Sequence, residues 1–295
     1  MTATPVLDVV GLVQHFPINR SVTIRAVDGI DFSVDAGEVF GIVGETGSGK
    51  STVAKSILGV NAIIGGEIYF KGNLISAKHL PKEVKDDVHR NMQIIFQDSP
   101  AALNPHMTVE DIVAEPLLVN RVYAAKEERE ERVLACLAQV GLSAAYRHKY
   151  PGELSGGMRQ RVAIARSIAI RPDLIIADEP IASLDISIQA QIVTLFQHLQ
   201  KMEGFSFIFI AHDLSMVRFL STRIAVMLKG KIVEFAPTDE LFRHPLHPYT
   251  ASLISSAPVP DPDLERSRSR LAYDTSLFTG EGVLTEVADG HFLLM

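Results

Sequence analysis

The sequence predicts an α/β fold, and three features carry that prediction. The apolar run Val39–Val43 leads straight into a glycine-rich turn and then into a helix beginning near Lys50. A second apolar run, Leu174–Ala177, ends in two acids, Asp178 and Glu179. Between them, from Val109 to Arg171, apolar residues recur at the helical period. Strand, turn, helix and strand again is the order of a parallel-sheet protein, in which acids at the carboxyl end of a strand face the ligand crevice.

The first third reads as strands. Val6–Val10 is a short apolar run, and Ile24–Val34 partly alternates apolar and polar residues. Val39–Val43 has the pattern of a buried strand. Glu67–Phe70 and Met92–Phe96 look like further strands, and the flanking Gly65 and Gly66 favour strand over buried helix for the former. The charge run Lys126–Arg132 (KEEREER) reads as the solvated face of an amphipathic helix. A helix is expected to start after Leu154 and to carry Arg159 to Ile170. Ser187–Lys201 follows as a helix, with strands at Phe205–Ile210 and Arg223–Leu228. Between Pro258 and Arg270, Pro, Ser, Arg and Asp become common, as in a linker. Val283–Leu294 is apolar-rich again and is expected to dock back on the fold. No internal repeat or low-complexity tract is visible.

Composition narrows the function classes. A chain of 295 residues with 47% hydrophobic and 21% charged residues can bury a full core, as one large domain or a domain with an appendage. The net charge is −7 and no basic block is present, which argues against a nucleic-acid partner. Cys136 is the single cysteine, so an internal disulfide framework and an all-cysteine metal or iron–sulfur site are excluded. The opening MTATPVLDVVGLVQHF has no basic start and no long apolar core, so no secretory signal is expected. No stretch approaches the ~18 uninterrupted apolar residues of a membrane span. If the protein serves a membrane, the membrane part is expected on another chain.

Gly44-Glu45-Thr46-Gly47-Ser48-Gly49-Lys50-Ser51 matches G-x-x-x-x-G-K-[ST] and sits between a strand and a helix, where such a loop must sit. Glycines let the backbone curl so that consecutive N–H groups point at phosphates. The helix N-terminus adds a dipole favourable to negative charge. Lys50 is expected to reach the β- and γ-phosphates, Ser51 to ligate Mg²⁺ and Thr52 to support the α-phosphate side. The motif by itself says nucleoside triphosphate binding and no more. It also demands a magnesium partner elsewhere, which makes Asp178 the expected Mg²⁺-associated acid. Glu179, next in sequence, is placed to polarise the attacking water as a general base.

Leu154-Ser155-Gly156-Gly157-Met158 opens the helix after Leu154. A serine hydroxyl, approachable backbone N–H groups and a helix dipole make a second phosphate cradle. An alternative reading is an N-cap serine followed by glycines that allow close packing. One loop does not need two cradles for the same γ-phosphate, so this one is expected to serve the nucleotide of a second subunit.

With these motifs in place the sequence resembles ABC-transporter ATPases, over about Val6 to Ser256. The family's signature LSGGQ stands here as Leu154–Met158, with Met in place of Gln, a departure also found in its peptide-importer branch. Gln97 resembles the Q-loop residue that senses Mg²⁺ and the membrane partner. Ser183-Leu184-Asp185 resembles the D-loop, His212 the switch histidine at the γ-phosphate, and Phe16 the aromatic that stacks on adenine. The resemblance implies a P-loop NTPase core with an antiparallel β subdomain and a helical signature subdomain near Ser99–Arg171. These would form an ATPase domain over residues 1–256, followed by a C-terminal extension over 257–295. It implies ATP and Mg²⁺ as ligands, with the metal held by Ser51, Gln97 and Asp178. Glu179, His212 and Gln97 would be catalytic, and Ser155, Gly156, Gly157 and Asp185 would serve the nucleotide across a head-to-tail dimer. The second ATPase subunit would be identical or paralogous. Two membrane permease subunits and, indirectly, a solute-binding protein would complete the assembly at the cytoplasmic face of the membrane. The permease is expected to dock on Gln97 and the segment Asp98 to Met107.

Further stretches resemble the oligopeptide, dipeptide and nickel importers: Phe96-Gln97-Asp98, Leu103-Asn104-Pro105, Met107-Thr108-Val109, Ser183–Gln191 and His244-Pro245-Leu246-His247-Pro248-Tyr249-Thr250. His244 and His247 read as part of a rigid docking turn between prolines rather than as metal ligands. Some members of that branch carry an iron–sulfur cluster on cysteines of the extension, and Pro237 to Met295 has no cysteine. The reading favours an ATPase subunit of a peptide importer; alternatives are a nickel or other small-solute importer, or a soluble ABC ATPase. Soluble translation-type members usually carry two ATPase units and repair-type members a long coiled-coil insertion. Here there is one loop motif, and Lys50 and Asp178 lie 128 positions apart. A non-catalytic regulatory module is disfavoured by the presence of Glu179 and His212.

Overall fold

The computed structural model describes residues 4–19, 22–97, 102–182, 184–257 and 270–295. Ser183, Asp98 to Ala101 of the expected docking segment, and most of the linker read between Pro258 and Arg270 lie outside them. The chain divides into two compact units, Met1–Lys78 with Ile208–Met295, and His79–Phe207.

In the first unit, β1 (Leu7–Pro17) pairs antiparallel with β2 (Thr23–Val34) on one side and with β4 (Gly65–Phe70) on the other. β1 runs seven residues beyond the expected apolar run Val6–Val10, because β2 continues to pair with it through the polar stretch at Gln14 and His15. Gly65 and Gly66 belong to β4 rather than flanking it, and the short β5 (Asn73–Leu74) completes this sheet.

The second sheet of this unit contains β3 (Val39–Val43), every residue of which is buried. β3 runs parallel to β9 (Arg223–Leu228), with Phe40 opposite Arg223 and Val43 opposite Val226. β10 (Lys231–Pro237) returns antiparallel beside β9. The expected docking of the C-terminal segment takes a definite form: β11 (Leu284–Ala288) and β12 (His291–Leu294) form a hairpin, and β12 pairs antiparallel with β10. Phe32, Phe40, Phe235 and Phe292 form a column with centroid spacings of 5.2, 5.6 and 5.4 Å, the outer pairs stacked and the Phe40–Phe235 pair tilted by 57°. Arg223 lies over the Phe40 and Phe235 rings while bonding Glu38, a cation–π arrangement that roofs the column. Helix α1 (Lys50–Ile57) follows β3.

The second unit begins with α2 (Lys82–Asn91), a helix the sequence reading omits because KEVKDDVHRN offers only Val84 and Val88 as an apolar face and buries neither fully. β6 (Met92–Ile95) runs parallel to β7 (Leu174–Asp178), with Met92 opposite Leu174 and Ile95 opposite Ala177. Phe96, expected in the strand, lies beyond it and is exposed. A helical cluster packs Val109, Ile112, Val113 and Leu117 of α3 (Val109–Val119) with Val133, Cys136 and Leu137 of α4 (Lys126–Gln139) and Val162, Ile164 and Ile168 of α5 (Gly156–Ile168). Each such aliphatic side chain contributes about 1.5–3 kcal/mol by leaving water. Thr108 caps α3 in a reciprocal box with Asp111.

One expectation is corrected here. Lys126–Arg132 is not wholly a solvated face, since Arg132 is buried. Its Nε donates to Ala169 O at 2.9 Å and its Nη2 to Ile168 O at 2.7 Å, placing a cation on the carbonyl end of α5. Helix α6 (Ile186–Glu203) and β8 (Ser206–Ala211) follow, and the division between the units falls within β8.

Candidate functional site

The loop between β3 and α1 is held by backbone crowding. Gly44 has φ 152° and Gly49 φ 109°, and a Cβ there would lie 2.2 Å from Met227 O and 2.1 Å from Ala26 O, respectively. No other residue fits either position without displacing the backbone beneath. Lys50 is 4% exposed. Its ammonium donates to Gly44 O at 2.7 Å and Glu45 O at 2.9 Å and contacts Ser48 Oγ at 3.4 Å, so the cation is fixed across the loop it will share with a ligand. Glu45, Thr46 and Gly47 are exposed, and Ser51 and Thr52 are partly exposed on the first turn of α1. That turn carries no acid, so the positive end of the helix dipole is not neutralised by a side chain of its own. Curled glycines, a fixed cation and a bare helix N-terminus fit a polyphosphate.

Two other expected residues belong to the first unit. His212 directly follows β8 and is exposed, while its neighbour Asp213 caps α7 (Leu214–Leu220) by accepting from Ser215 N at 2.8 Å. Phe16 lies near the end of β1 opposite Ile24, and both are exposed. The open ring fits a planar ligand.

The second unit carries the acids. Asp178 is the last residue of β7 and 4% exposed. Glu179 leaves the strand path at φ 47°, a left-handed conformation that costs an L-residue roughly 1 kcal/mol. Gln97 Nε2 donates to Glu179 Oε2 at 3.1 Å. A carboxylate can only accept, so it selects the amide nitrogen and leaves the amide oxygen of Gln97 for another partner.

Ser155 caps α5 by accepting from Met158 N at 3.3 Å. A Cβ at Gly157 would lie 3.0 Å from Ile188 Cγ2 of α6, and one at Gly156 3.9 Å from Leu184. The close-packing role weighed for these glycines is therefore present, and Gly156 and Gly157 remain partly exposed at the helix entrance. Asp185 stands at the N-cap of α6, exposed, with no side-chain capping bond.

For a magnesium ion, the expected donors are a hydroxyl (Ser51), an amide oxygen (Gln97) and a carboxylate (Asp178). All are hard oxygen ligands, which suit Mg²⁺ shared with phosphates. Among the described residues no group of three or more His, Cys, Asp or Glu could hold a metal ion.

Sequence reasoning missed two residues that touch this machinery. Tyr249 Oη accepts from Glu45 N at 2.9 Å, and Gly230 N donates to Ser48 O at 2.9 Å, so both sides of the loop are tied to segments far away in sequence. In the sequence HPYT reads as a docking turn and as part of the resemblance to the importer branch, not as a support of the loop. The available signal was Tyr249 itself, a large polar-tipped ring in an apolar stretch, which needs a hydrogen-bond partner once buried.

Comparison with known proteins follows the same lines. Residues 27–182 match the protein family described as ABC transporter, and residues 233–278 match the one described as Oligopeptide/dipeptide transporter, C-terminal region. The chain is 49% identical over 292 residues to the oligopeptide transport ATP-binding protein OppF of Bacillus subtilis, covering 98% of this chain and 95% of that one. It is 48% identical over 273 residues to OppF of Streptococcus mutans, covering 92% and 88%. Among solved structures, it resembles the dimeric post-hydrolysis state of the ATP-binding cassette MJ0796 bound to ADP and Pi, with a TM-score of 0.69, 28% identity, and coverage of 79% of this chain and 98% of that one.

Proposed function

The chain belongs to the ABC transporter family of ATP-binding cassettes, and on that premise we propose that it is the ATP-hydrolysing subunit of a peptide importer. The observation that carries the ATPase reading is Lys50, buried and fixed by Gly44 O and Glu45 O over a loop whose Gly44 and Gly49 admit no Cβ. The peptide reading is supported by the match over residues 233–278 and by relatives named for oligopeptide transport.

In this reading Gly44–Thr52 bind the triphosphate and Phe16 stacks on the base. Ser51, Gln97 and Asp178 would hold Mg²⁺, which would supply positive charge to offset that of the phosphates. Glu179 accepts a proton from the attacking water, and the Gln97 amide keeps that carboxylate oriented. His212 contacts the γ-phosphate. Ser155, Gly156, Gly157 and Asp185 face the nucleotide of a second ATPase subunit in a head-to-tail dimer, a reading supported by the dimeric cassette it resembles. Closure on ATP and opening after hydrolysis drive two permease subunits, which receive cargo from a solute-binding protein.

No helix among the described residues is long and apolar enough to cross a membrane. In the proposed reading the subunit meets the membrane through its permease partners, at the cytoplasmic face. The ATPase domain is assigned to residues 1–256, with its helical part near 99–171, and the extension to 257–295. The test is peptide uptake and MgATP hydrolysis by the assembled transporter. Hydrolysis that peptide-loaded binding protein does not stimulate would end the importer assignment.

A further inference from the structure

We propose that Tyr249 is a positioning residue for the phosphate-binding loop, through which the C-terminal segment sets the affinity for nucleotide. The proposal rests on the reading of Gly44–Ser51 as the ATP-binding loop.

The contact is specific. Glu45 is exposed, yet its backbone N–H donates to Tyr249 Oη, whose residue is 1% exposed. That N–H is therefore bound from beneath rather than offered to phosphate, and the peptide next to the Lys50 acceptors Gly44 O and Glu45 O is held in one orientation. Burial pushes the Tyr249 phenol up to about 12, so the hydroxyl stays neutral.

Tyr249 is itself placed by the extension. It lies at the start of α9 (Pro248–Ser256), which follows the short α8 (Thr238–Arg243), and His247 caps α9 by accepting the Tyr249 N–H at Nδ1, 3.1 Å away. Glu234 of β10, fully buried, accepts from Leu246 N at 2.7 Å and His247 N at 3.0 Å, and its Oε1 also lies 2.8 Å from His291 Nε2 of β12. The Tyr273 ring sits 5.8 Å from Tyr249 and 5.7 Å from His247. A second tie reaches the other side of the loop. Lys229 Nζ donates to Thr275 O at 2.6 Å, and the next residue, Gly230, donates to Ser48 O. The segment after residue 270 thus braces the supports of both Glu45 and Ser48.

Tyr249→Phe in the full chain removes the hydroxyl and keeps the ring. Binding of a fluorescent ATP analogue and the nucleotide-free unfolding midpoint should be measured together, with KM and kcat for MgATP in the assembled transporter. The expected result is an affinity lowered roughly three- to tenfold, the range of one net hydrogen bond. KM should rise in step, with kcat at saturating ATP and the unfolding midpoint little changed. Unchanged affinity overturns the proposal, whatever happens to the midpoint. If affinity and midpoint fall together, His247→Ala and His247→Asn decide. Weakening in the first and recovery in the second, which retains a capping acceptor, uphold positioning through α9; no recovery overturns it. A wild-type chain that binds no ATP would instead refute the loop assignment itself.

Discussion

The side-chain amide of Gln97 donates to Oε2 of Glu179 at 3.1 Å, joining residues 82 positions apart at the ends of two neighbouring parallel strands. Glu179→Gln keeps the shape but cannot take a proton. Hydrolysis in the assembled transporter should fall by ~10²–10⁴-fold while ATP binding persists. A closed, ATP-loaded dimer should accumulate on size-exclusion chromatography. Near-normal turnover would place the base elsewhere.

Lys50→Ala removes the cation that Gly44 O and Glu45 O hold over the loop. MgATP hydrolysis by the transporter should be lost, because no other side chain of the loop carries positive charge. Turnover at the wild-type rate would contradict the loop assignment.

Arg132→Ala should destabilise the chain by about 2–4 kcal/mol, since it strips two buried carbonyls, Ile168 O and Ala169 O, of charged donors. Chemical denaturation followed by circular dichroism reads this directly. An unchanged midpoint would mean that water replaces the guanidinium at no cost.

Burial holds the His247 imidazole below its ordinary value of 6.5, against an opposing pull from Glu234. The unfolded chain therefore takes up this proton first as pH falls. Stability from this group is complete above about 6.5 and declines below it, down to the depressed folded value. The unfolding midpoint measured from about pH 7.5 to about pH 5.5 should fall less steeply in His247→Asn than in the wild type. Parallel curves would remove His247 from the linkage.

Cys136 is buried, and desolvation pushes its thiol up to about 11. A thiol-reactive dye should label it only after unfolding, and the purified protein should be colourless and free of iron. Rapid labelling of the native chain would show that α4 opens readily.

The local chemistry of the loop was legible because it is contiguous. Gly44 to Ser51 declare in eight neighbouring residues how a backbone must curl, and Val39–Val43 announces the strand that feeds it. The short polar helix Lys82–Asn91 was not legible, because its stability comes from context rather than from an apolar stripe. Arg132 was misread within KEEREER for a related reason: a charge run shows which residues are polar, not which one meets a helix end 36 positions later.

The sequence by itself determined the α/β class, the phosphate loop, the paired acids after Leu174–Ala177 and the family resemblance, all written in short-range spacing. Only the tertiary structure decided that Gln97 orients Glu179, that Glu234 gathers the HPYT turn and the terminal hairpin, and that Tyr249 reaches the loop across 204 positions. The physical reason is that a buried polar group must find a partner wherever the fold brings one, and that choice depends on long-range packing rather than on neighbours in the chain.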